Sequence, residues 1–135
     1  MGLIATIERW QRSGAAKSDP TKKAEKMPDY RGSNGNPRVR DWKHRQRQLK
    51  QAAQTLGYDT LEPGEHSPDG AVTVGLLCGE IVTVYLAGWA VGVLDEEDSK
   101  WVTRWVKRHT GGDKARVDAR LYHYEHGRWG VILTL

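Results

Sequence analysis

The chain has 135 residues, a net charge of +4, one cysteine, six tryptophans and no phenylalanine, which leaves room for one compact domain with an appendage and excludes an internal disulfide. Charge is sorted along it: residues 1–50 hold 13 Lys/Arg against 5 Asp/Glu, residues 51–99 hold 9 acids and no Lys or Arg, and residues 100–135 hold 8 against 3. A basic front, an acidic middle and a basic tail suit polyanion binding at two places, or pairing with one another.

The opening residues lack the apolar stretch of a signal peptide, which argues for a cytoplasmic protein. Leu3, Ile4, Ile7 and Trp10 fall on one helical face, predicting a short amphipathic helix over 3–12. Residues 13–36 are rich in Gly, Ser, Pro, Asn and Lys, with little to bury, and read as a mobile linker. Residues 1–36 therefore form an expected flexible basic N-terminal arm, and 37–135 a single domain.

Asn36 followed by Pro37 is a helix-start signal, and Gly57 a stop, predicting a helix over about 37–56. Val39, Trp42, Gln46, Leu49, Ala53 and Leu56 fall at three- and four-residue spacing as its packing stripe, with Arg40, Lys43, Arg47 and Lys50 on the opposite face. Residues 58–70 are turn-rich. Residues 71–94 carry one charge in 24 positions, long enough to raise the question of a membrane span. Glu80 near the midpoint, four glycines and many β-branched residues instead predict strands at 71–77, 80–87 and 89–94. Asp95 should cap a helix with an acidic first turn and a basic end at Lys107 and Arg108, burying Trp101, Val102, Trp105 and Val106. A hairpin of 115–124 and 128–135 turning at His126-Gly127 closes the chain. The order predicts an α+β fold: a small, strongly bent sheet or partial barrel of about five strands with two helices.

No residue stands in a nucleophile setting and no glycine-rich phosphate loop is present, so the sequence predicts a non-enzymatic protein without a cofactor. His123, Glu125 and His126 have zinc-ligand chemistry, but they fall at a hairpin end without helical spacing or a Cys pair, and a solvated turn accounts for them better. The acids Asp95–Asp98 sit where a helix first turn favours them. The helical stripe Arg40, Lys43, Arg47, Lys50, with Lys107 and Arg108 on the later helix, matches phosphate contacts, although exposed Lys and Arg often serve solvation alone. Arg120, Tyr122 and Tyr124 alternate on one strand face, the pattern by which sheets stack unpaired bases.

Three segments carry a resemblance: 69–74 (DGAVTV), 84–94 (VYLAGWAVGVL) leading into an acid-started helix, and the closing pair 119–122 with 127–135. Together they resemble the HIRAN domain, a small β-rich module found in helicase-like and nuclease proteins and alone in bacteria. The resemblance covers the C-terminal 70 or so residues and implies a barrel-like fold that binds single-stranded DNA ends. The family's opening strand motif has no match before Gly70, where a basic helix stands instead.

The leading expectation is a nucleic-acid-binding module, single-stranded DNA being the favoured ligand. The alternative is an interaction or assembly protein docking through Leu3, Ile4, Ile7 and Trp10 on a protein partner or a second copy, a reading that admits a phage-encoded protein with a virion or host-directed role. A membrane role is not expected.

Overall fold

The computed structural model describes residues 19–30, 32 and 34–135. The expected helix over 3–12, with Leu3, Ile4, Ile7 and Trp10, lies outside the described residues.

Five antiparallel strands form one curled half-barrel sheet, β1 (Val72–Leu77), β2 (Thr83–Leu86), β3 (Trp89–Val93), β4 (Lys114–His123) and β5 (Trp129–Leu133), in the order β3-β2-β1-β4-β5. The 71–94 run is thus three strands, and no helix among the described residues is long and apolar enough to cross a membrane. Alternation within the strands sorts the two faces. Val72, Val74, Val84, Leu86, Val117, Ala119 and Leu121 point into the core, with Trp129, Val131 and Leu133 from β5. A register shift between Val84 and Tyr85 bends the β2–β3 pair. The Ala87-Gly88 turn joining them has positive φ at both residues, as a two-residue hairpin requires.

Two helices cover the core, α1 (Gln46–Leu56) and α2 (Glu96–Thr110). Helix α2 matches its sequence signals: the Asp95 carboxylate accepts from the Asp98 N–H at 2.7 Å, and Trp101, Val102, Trp105 and Val106 are buried. Buried Ser99 ties it to the sheet, its hydroxyl accepting from the Val82 N–H at 2.9 Å. Helix α1 ends as expected at Gly57, where φ is 78° and the N–H returns to the last turn.

Its beginning does not follow the sequence signals. Residues 37–40 are non-helical, Asp41 turns with φ 66°, Trp42–Arg45 form a 3-10 turn, and the α-helix starts only at Gln46. The reason is tertiary: the Arg40 N–H donates to Val93 O at 2.6 Å, and the Val93 N–H donates to Arg40 O at 3.0 Å. A short extended segment thereby covers the β3 edge, and Gly92 permits the approach, since a Cβ there would lie 2.6 Å from Arg40 O. At the other open edge, the Gln46 amide takes the place of a strand. Its Oε1 accepts from the Trp129 N–H at 2.7 Å, while its Nε2 donates to Trp129 O and to Trp42 O, both at 2.8 Å. Residues 40–46 thus close the half-barrel by joining its two edges.

Residues 19–30 fall within the stretch read as a mobile linker, yet they lie against the domain as a strap. Thr21 is buried over Gly75, whose missing side chain leaves the room. Buried Met27 donates its N–H to Arg116 O at 2.8 Å, and the Arg116 N–H donates to Glu25 O at 2.9 Å. Tyr30 stacks on Trp101 with centroids 4.7 Å apart and meets Trp105 edge-on at 5.2 Å. Three apolar or small anchors in a polar stretch are enough to order it.

Candidate functional site

Strand β4 organises the outer face of the sheet. Its outward side chains are Arg116, Asp118, Arg120 and Tyr122, alternating with buried Ala115, Val117, Ala119 and Leu121. The strap occupies the first part of this face, where the Arg116 Nε donates to Ala24 O at 2.8 Å and Lys26 Nζ lies 3.0 Å from Asp118 Oδ1. Beyond Asp118 the face carries Arg120, Tyr122 and, just past the strand, Tyr124.

These last residues stand in a continuous run of rings. His66 lies 4.9 Å from Tyr122, Tyr122 and Tyr124 are stacked at 5.6 Å with planes 12° apart, and Tyr124 lies 5.5 Å from Trp42 and 5.4 Å from His126. Gly130 makes this possible, because a Cβ there would meet the Tyr124 ring at 2.5 Å. The rings face one another, so a ligand is offered their rims and the outer faces of the end members rather than a flat platform. Burial pushes the Tyr124 phenol up, and neighbouring Tyr122 adds to this.

Cations meet the run at both ends. Lys43 Nζ sits 5.8 Å from the centroid of the Trp42 ring, within cation–π range, and Arg47 and Lys50 continue exposed along α1. Towards the other end Arg120 pairs with Asp69, and the Tyr122 hydroxyl and Asp69 both push its guanidinium up, the hydroxyl most. The loop that carries Asp69 is pinned to β4. The Ser67 N–H donates to Leu121 O at 2.8 Å, and the Leu121 N–H donates to Ser67 Oγ at 2.9 Å. The same loop delivers His66.

The sequence-predicted residues therefore divide. The run brings Lys43, Tyr122 and Tyr124 together, with Arg120 on the same strand face as Tyr122, while Arg47 and Lys50 are exposed on α1. Arg40 is not on the helix; it lies in the extended segment with its guanidinium 3.5 Å from Asp95. Lys107 and Arg108 end the helix that leads into the start of β4, whereas the rings stand about 26 Å further along that strand, at some 3.3 Å per residue. Trp42, His66, His126 and Asp69 were missed as members of the site. Trp42 sat on the stripe expected to pack inward, and the others reach it from turns 60 or so residues apart.

The histidines of the hairpin diverge. His123 turns inward, stacked on Trp129 at 4.2 Å with Nδ1 2.7 Å from Leu61 O, while His126 joins the outer rings. No group of three or more His, Cys, Asp or Glu among the described residues is placed to hold a metal ion. An open cleft of about 620 Å³ lies between the β1–β2 loop and α2, lined by Glu80, Ile81, Glu96, Lys100, Thr103 and Arg104. Its charges are balanced, with Lys100 3.6 Å from Glu96.

Comparison of the chain with protein-family models, with curated proteins and with solved structures finds no match.

Proposed function

We propose that this chain is a non-enzymatic nucleic-acid-binding module, with single strands as its preferred ligand. The observation that carries this reading is the continuity of the run His66–Tyr122–Tyr124–Trp42 with the cation Lys43, while Arg47 and Lys50 are exposed on the helix that follows. Phosphates would lie along the cations and unpaired bases against the ring rims, a combination that is tolerant of sequence and sensitive to salt. The HIRAN resemblance supports the same class of ligand, and the half-barrel is compatible with it.

The test is fluorescence anisotropy with labelled single-stranded and duplex DNA and RNA at about 50 and about 200 mM salt. Three or four phosphate contacts to a single strand predict an affinity loss of about 20–50-fold over that range. Replacing Lys43, Arg47 and Lys50 together by Glu should abolish binding. No binding even at low salt sinks the proposal and favours the assembly alternative, in which the N-terminal arm docks on a protein.

A further inference from the structure

Arg120 shares the outer face of β4 with the stacked tyrosines, yet it is already engaged. Its guanidinium pairs with the Asp69 carboxylate, whose side chain is 75% exposed. Asp69 does not swing freely. It belongs to a turn closed by the Ala71 N–H on Pro68 O at 3.2 Å, with Gly70 at φ 74°, and this turn follows directly on buried Ser67, doubly bonded to Leu121. The neighbouring pair, Lys26 with Asp118, likewise neutralises the next charge along β4. A face meant to hold phosphate through Arg120 carries a fixed anion on that residue.

We infer that Asp69 is a built-in competitor for Arg120: it occupies the guanidinium in the free protein, and a strand phosphate gains that contact only by displacing it. This rests on the function proposed above. The carboxylate is acceptor-only, like a phosphate oxygen; it takes Arg120 Nη2 and neutralises the guanidinium, so a phosphate approaching that nitrogen competes with it. Removing the negative charge while keeping the shape frees Arg120 for one additional phosphate contact.

The measurement is the affinity of the full chain for a fluorescein-labelled oligothymidine between about 50 and about 200 mM salt, for the wild type and Asp69→Asn. One extra contact on a single strand steepens the log–log salt slope by about 0.7 and tightens binding by roughly eightfold at 50 mM. Glu97→Gln, an equal charge change on α2, controls for net charge and should leave the slope unchanged. Arg120→Ala in the Asp69→Asn background should cancel the gain. Unchanged affinity and slope in Asp69→Asn overturns the inference, and so does weaker binding, which would make Asp69 a support that orients Arg120. If neither wild type nor Asp69→Asn binds at low salt, the underlying proposal has failed instead. Near-ultraviolet circular dichroism of each variant separates these outcomes from misfolding.

Discussion

Replacing Gln46 by Met tests how the half-barrel is closed. Methionine retains the length and apolar stem of the side chain but removes the amide that bonds to both backbone groups of Trp129 and to Trp42 O. The loss leaves one N–H and one C=O of Trp129 without their partner at a buried residue. Each such group costs about 1–3 kcal/mol when left unsatisfied; with some access for water, the sum is about 2–3 kcal/mol. That is a large share of the 5–15 kcal/mol that holds a typical domain together. Urea unfolding followed by tryptophan fluorescence should show a midpoint lowered by about 1–2 M, at the slope expected for a protein of this size. A loss below about 0.5 kcal/mol would refute the reasoning, because the β5 edge would then have been closed by packing alone.

Further outcomes are expected at the strap and at the buried thiol. Tyr30→Ala should release the strap, since the ring's contacts with Trp101 and Trp105 fasten its end; trypsin should then cut at Lys22, Lys23 or Lys26 well before the rest of the domain, and equal cleavage rates in wild type and variant would count against this. Cys78 is buried, and burial pushes its thiol from 9.0 to about 11, so it should react with a thiol reagent at neutral pH only after urea is added. The unfolded thiol loses its proton first, so stability should fall as pH rises from about 9 towards 11. Tyr85 and Tyr124, also raised by burial, act in the same sense. Cys78→Ala should shallow that fall, and an identical pH profile would exclude the thiol as a contributor.

The strands and α2 were legible in the sequence because their signals are local and agree with their surroundings. Alternation marks the buried faces of β1, β4 and β5, and Asp95 sits on an apolar helical arc it can cap. The start of α1 was not legible. Asn36-Pro37 is a sound local signal, but the unpaired edge of β3 claimed Arg40, and a backbone pairing across 53 residues outweighed one cap. The strap was hidden for a related reason: its composition is that of a linker, and the partners that order it, Gly75, Arg116 and the Trp101–Trp105 pair, lie far along the chain. Half of the candidate site was visible as Arg120, Tyr122 and Tyr124 on one strand. The remainder, Trp42, His66, His126 and Asp69, depends on how loops return to β4, which periodicity does not encode.

Strand β4 has a consequence for how motions of this domain can be observed. Its amides are shared among separate neighbours: that of Arg116 bonds to Glu25 in the strap, and those of Leu121 and His123 to Ser67 and Glu65 in the loop that carries Asp69. Deuterium uptake along one strand therefore reports several partings independently. Fast uptake at Arg116 alone would register the strap lifting, fast uptake at Leu121 and His123 would register the loop departing, and the two together would register loss of the whole sheet. A single backbone segment serves as a built-in recorder of which part of the molecule opens first.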